Sequence, residues 1–144
     1  MNFRLVCVFV ASISAMTPSA AWASDWRYVT SSSSDTDIFI DVSSARELIA
    51  VPYKRPFKVR QSWVKYDHTN DKTRKERTTK HLILYNCNSE TSNMVSSINY
   101  RADGTVIDSG TFLDYESNYK PLVPDSVNYA IFEIVCGRTS LPEQ

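Results

Sequence analysis

Two alternating runs, Lys58–Tyr66 (KVRQSWVKY) and Thr79–Cys87 (TKHLILYNC), decide the fold of this chain. A strand turns successive side chains to opposite faces. Val59, Gln61, Trp63 and Lys65 therefore share one face of the first run, and Arg60, Ser62, Val64 and Tyr66 share the other. In the second run His81, Ile83, Tyr85 and Cys87 oppose Leu82 and Leu84. Between the runs lies Asp67–Arg77 (DHTNDKTRKER), polar, charged and without a large apolar residue. The pattern predicts an antiparallel hairpin with a long, exposed, basic tip.

The same period extends outward. Trp26–Val29 and Ile38–Ile40 read as short strands joined by the serine turn at Ser31–Ser34. Strands near Met94–Tyr100 and Val106–Phe112 flank Arg101-Ala102-Asp103-Gly104, whose Asp-Gly step supplies the positive backbone dihedral of a hairpin turn. Val42–Pro56 is expected to be a structured loop: Ser43–Leu48 would make one helical turn, and Pro52 and Pro56 forbid a long regular element. Near the C-terminus, Val127, Ile131, Ile134 and Val135 fall at helical spacing, with Pro124-Asp125-Ser126 as a start and Gly137 as a stop. Alternation of the same β-branched and aromatic residues would equally make Tyr129–Val135 a strand.

The N-terminus points to export. Arg4 is followed by an uncharged, mostly apolar stretch from Leu5 to Ala15; Pro18 ends it, and Ala21-Trp22-Ala23 gives the small-x-small pattern of a signal-peptidase site. That apolar stretch is shorter than the roughly 20 residues needed to cross a bilayer. Residues 1–23 are read as a cleaved signal peptide, which removes Cys7, and residues 24–144 as one domain with no later membrane-spanning segment. Two cysteines remain, Cys87 and Cys136, an even number in a chain that folds where thiols oxidise, and neither has a C-x-x-C partner or a nearby histidine. They are expected to form one disulfide. Its location follows: through the inner membrane, to the periplasm or the cell surface.

Charge is unevenly distributed. Between Arg46 and Lys80 there are eleven bases against four acids, whereas both flanking parts are acidic. Lys72, Arg74, Lys75 and Arg77 crowd the predicted hairpin tip, with Lys65 and Lys80 at its base. Cations so placed can grip sulfates or carboxylates, which makes these six residues the candidate binding site; the alternative location is the sheet face left bare by any helix. Partners of that chemistry are protein or glycan chains rich in acidic groups, or other acidic polymers. Export disfavours nucleic acid, and the free strand edges of such a sheet leave a homodimer open.

Catalysis finds no constellation to carry it. The chain has no H-E-x-x-H, no G-x-S-x-G and no phosphate-binding glycine loop, and nothing in it calls for a metal or a cofactor. His68 and His81, the two histidines, read as ordinary surface or sheet residues. Asp37 and Asp41, four positions apart on a strand, would stand about 13 Å apart, too far for shared acid–base work. The expectation is a non-catalytic binding protein, of which a periplasmic module that binds or inhibits another protein is one form.

Several landmarks resemble the surface-adhesin protein E family of small exported Gram-negative proteins. They are Trp26, the apolar pair closing on Asp in Phe39-Ile40-Asp41, the Val59-x-x-x-Trp63 strand, Leu84-Tyr85-Asn86-Cys87, and Val123-Pro124-Asp125-Ser126 leading to Cys136. The resemblance implies an α+β fold: one antiparallel sheet of about six strands, with a C-terminal helix fastened to one face by the disulfide. It thereby implies helix, not strand, for the last element. The family's founding type binds host extracellular-matrix and serum proteins, so the resemblance also implies adhesion.

Overall fold

The computed structural model describes residues 23–50, 56–112 and 119–142. The expected signal peptide, apart from Ala23, lies outside the described residues, as does the Pro52 portion of the expected loop.

Among the described residues, seven strands and one helix follow in order: β1 Trp26–Ser31, β2 Asp37–Ala50, β3 Phe57–Asp67, β4 Thr78–Asn86, β5 Thr91–Tyr100, β6 Val106–Thr111, β7 Lys120–Pro121 and α1 Val127–Val135. β1 to β6 form an antiparallel meander in sequence order, in which each strand pairs with the next. β7 was not expected. It pairs with Thr91 and Ser92, the end of β5 that reaches past β6.

Val42–Ala50 is strand, contrary to the expected loop, and the reason is a bulge. Asp41 pairs with Trp63 and Arg46 with Gln61, so four residues of β2 stand opposite Ser62 alone. Serine side chains replace the missing ladder bonds: Ser44 Oγ accepts from the Trp63 backbone N–H at 2.9 Å and donates to the Asp41 carbonyl at 2.7 Å. The three extra residues also reverse the facing of β2. Before the bulge Ile38 and Ile40 join the cluster of Val64, Ile83 and Tyr85, whereas after it Leu48 and Ala50 pack on Val59, Leu84 and Val95. An odd insertion destroys period 2 in the sequence and leaves apolar residues at 42, 45 and 48, which imitates a helical spacing.

The C-terminal element is a helix, as the resemblance implied. Ser126 caps it by accepting from the Tyr129 N–H at 3.2 Å. At the other end Gly137, with φ 71°, donates to Ile134 O and Arg138 donates to Glu133 O, a Schellman closure that needs glycine's left-handed freedom. Ile131, Phe132 and Val135 bury one stripe against Val29, Ile38, Ile40, Val64, Ile83 and Tyr85. Each fully buried side chain of this size contributes about 1.5–3 kcal/mol. The first turn is fixed by a polar chain in which the Tyr85 hydroxyl donates to Asn128 Oδ1 and Asn128 Nδ2 donates to Ser92 Oγ, both at 3.1 Å. Past the last turn, Cys136 is bonded to Cys87 with Cα atoms 5.7 Å apart.

The β5–β6 connection is the hairpin that Asp103-Gly104 announces. Gly104 has φ 82°, and the Arg101 N–H donates to Thr105 O at 2.8 Å.

Candidate functional site

Sequence position placed six cations together; the fold divides them. Lys65 and Lys80 are directly opposed partners of the β3–β4 ladder. Because Val64 and Ile83 face the helix, alternation carries both lysines to the opposite, helix-free face. There the Lys65 ammonium sits 3.9 Å from the Phe39 ring centroid and 5.5 Å from that of Trp26. The Lys80 ammonium sits 5.3 Å from Trp26 and 5.1 Å from Tyr100. Cation–π attraction of this kind contributes about 0.5–2 kcal/mol, according to exposure, and holds two like charges side by side.

Around this pair lies a trough of about 640 Å3 walled by Trp26, Lys65, Arg77, Lys80, Tyr100 and Arg101. The volume falls in the ordinary range of ligand sites. Arg77 is set by the loop: its N–H donates to Tyr100 O at 2.9 Å, and its guanidinium donates to Asp71 O at 3.2 Å. Arg101 stands at the start of the β5–β6 turn, its guanidinium within 3.4 Å of Thr105 Oγ1. Among the described residues, none of the four cations of the trough forms an ion pair with a carboxylate.

The other three predicted cations stand apart. Lys72 and Lys75 are exposed at the tip and do not line the trough. Arg74 is 3.8 Å from Glu76 and turns toward His68 on the reverse side. The residues that sequence reasoning missed are Trp26 as a wall, Phe39, Tyr100 and Arg101. Phe39, Lys65 and Lys80 do form one row across three neighbouring strands, but that row exists only once the β2–β3 and β3–β4 registers are known.

His68, expected as an ordinary surface or sheet residue, directly follows β3 and is buried. It is 2 % exposed and lies between two threonines, with Nδ1 3.1 Å from Thr36 Oγ1 and Nε2 3.1 Å from Thr79 Oγ1. An Arg74 guanidinium N–H at 3.4 Å can only donate, which makes Nδ1 an acceptor and leaves the proton on Nε2. The chain continues in one direction: Thr79 Oγ1 donates to Asn99 Oδ1 at 2.7 Å, and Asn99 Nδ2 donates to Asp108 Oδ1 at 2.8 Å. A neutral imidazole completes this chain. Burial, then the charge of Arg74, lowers the His68 pKa below the ordinary 6.5 against the opposing pull of Glu76, Asp71 and Asp67. His81, packed on Tyr66 at 5.1 Å, is lowered as well, by burial and by His68.

A prediction about pH follows with a definite sign. When the folded pKa of a base lies below its unfolded value, the unfolded chain binds more protons, so stability rises with pH across that window. The contribution is fully present above about pH 6.5 and is lost as pH falls toward and through the lowered folded value. Asp71 and Glu76 are themselves lowered from 3.8 and 4.5, chiefly by hydrogen bonds, and so titrate below this window. Thermal unfolding at pH 7 and pH 5 is expected to show a lower Tm at pH 5. In His68→Gln, whose amide can donate and accept without titrating, that difference shrinks.

Asp41 is likewise a structural carboxylate. It is 5 % exposed, and its Oδ1 accepts from the backbone N–H groups of Asp25 at 3.0 Å and Ser43 at 3.1 Å, which pins the chain entering β1.

No curated protein and no solved structure matches the chain. The protein-family model described as "Surface-adhesin protein E" matches residues 26–137, a span that begins at the Trp26 wall of the trough, takes in every strand, the helix and both bonded cysteines, and ends at Gly137. The chain belongs to the surface-adhesin protein E family.

Proposed function

We propose that this protein is exported, with residues 1–23 removed as a signal peptide, and that the domain of residues 24–144 serves as a non-catalytic adhesin that holds an acidic partner in the trough. The observation that carries the reading is the Lys65–Lys80 pair. Two ammonium groups opposed across neighbouring strands, held by Trp26, Phe39 and Tyr100 with no carboxylate partner among the described residues, form a site that an anion completes. Like charges in directly opposed positions are destabilising, so an anion bridging them relieves a cost that the free protein bears. Membership of an adhesin family supports a binding role at the cell surface.

The test is binding to an immobilised polyanion. Reversing Lys65 and Lys80 to glutamate is expected to abolish retention, whereas reversing the tip residues Lys72 and Lys75 lowers it only modestly. Wild-type binding should weaken as ionic strength rises from about 0.01 to 0.15 M, because the screening length contracts from about 30 to 8 Å. Protease treatment of intact cells tests location: digestion fits a surface adhesin, and full protection fits a periplasmic binding module.

A further inference from the structure

We propose that the ligand of the trough is a sulfated saccharide chain, with Trp26 and Tyr100 contacting the sugar and Lys65 and Lys80 its sulfate groups. The proposal rests on the anion-binding reading above and adds the chemical class.

Three observations favour this class. The first is charge density: two lysines and two arginines surround about 640 Å3. Neutralising four cations in so small a space takes several acidic groups on one short unit, which a multiply sulfated sugar carries. The second is the mixed wall. Trp26 and Tyr100 line the same trough as the cations, and the turn residues Ala102 and Gly104 add small, uncharged surface. A pyranose offers a C–H face to an aromatic ring and acidic substituents at its rim, whereas polyphosphate has no apolar face. The third is exposure. Thr69, Arg101, Ala102 and Gly104 on the rim are all exposed, so the trough suits a chain that passes through it. Extended polypeptide rich in glutamate is the competing polyanion. It presents its carboxylates on flexible stems and gives the rings no planar surface to lie against.

Titration of the full chain with three probes separates these cases: a heparin hexasaccharide, the same hexasaccharide fully desulfated, and poly-L-glutamate. The expected result is tight binding of the sulfated probe, no measurable binding of the desulfated one, and weaker binding of polyglutamate. Trp26→Leu is expected to weaken the sulfated probe about tenfold, the equivalent of about 1.4 kcal/mol, and polyglutamate by a clearly smaller factor, since polyglutamate loses only the ring's hold on the two ammonium groups whereas the saccharide also loses its contact with the ring. Tyr100→Leu serves as a second variant should the first disturb β1, with the thermal midpoint confirming that each is folded. Equal affinity for the heparin probe and polyglutamate, with both aromatic variants weakening the two alike, would overturn the saccharide assignment and leave a general anion site. Failure of the wild-type chain to bind either polyanion at low salt would overturn the anion-binding reading itself.

Discussion

Loss of the Cys87–Cys136 bridge is expected to lower the stability of the domain by about 4 kcal/mol, the entropic value for closing a loop of this size. The bond joins residues separated by 49 positions, and between them lie β5, β6, β7 and the whole of α1. It ties the C-cap of the helix to the end of β4, so its removal frees the helix at the point where Arg138 is the other tether, donating to Cys87 O at 2.9 Å and pairing with Glu90. That ion pair is exposed and adds little by itself. A domain's net stability is typically only about 5–15 kcal/mol, so a Cys136→Ser chain should unfold at a markedly lower urea concentration than the oxidised wild type. Urea titration with and without reductant measures this. Equal midpoints for oxidised wild type and Cys136→Ser would show that the bridge contributes nothing.

Phe132→Ala is expected to cost about 3–5 kcal/mol, by lost transfer energy and by the cavity it leaves. Phe132 is 0 % exposed and packs against Tyr85 and Tyr129, with ring centroids 6.2 and 5.5 Å away, while the Arg138 guanidinium lies 4.6 Å from its ring. The site has little room to collapse because Ile131 and Tyr85 beside it are equally buried and anchored on opposite elements. Residue 132 and the bridge both dock α1, so their effects should not add: in reduced protein the substitution acts on a helix already loosened. Urea midpoints of the four combinations give the coupling directly.

The sheet was legible wherever period 2 runs unbroken. Lys58–Tyr66 and Thr79–Cys87 gave the central hairpin within a residue or two, and Asp103-Gly104 gave the next turn. Val42–Ala50 was not, because the bulge opposite Ser62 shifts the pattern by an odd number of residues and erases the alternation on which the reading depends. β7 was beyond reach for another reason: Lys120–Pro121 is two residues long and carries no pattern at all. Periodicity left the last element open between helix and strand, and the family resemblance settled it. At the candidate site, sequence proximity grouped Lys72, Arg74 and Lys75 with Lys65, Arg77 and Lys80, but pairing register placed only the last three in the trough. Trp26 and Tyr100 come from strands distant in sequence, and a basic run cannot reveal aromatic walls supplied from elsewhere. The burial of His68 was not legible because a histidine at the head of a polar loop looks solvated; it depends on Thr36, more than thirty residues earlier, closing over it.

The central claim is that anions bind in the trough and not at the hairpin tip. Two-dimensional NMR of 15N-labelled protein titrated with a heparin hexasaccharide tests it most directly. The account predicts saturable shifts at the Trp26 indole N–H and at the amides of Lys65, Arg77, Lys80, Tyr100 and Arg101, with little change in α1. Shifts confined to the loop around Lys72, Arg74 and Lys75, with the Trp26 indole unmoved, would contradict it.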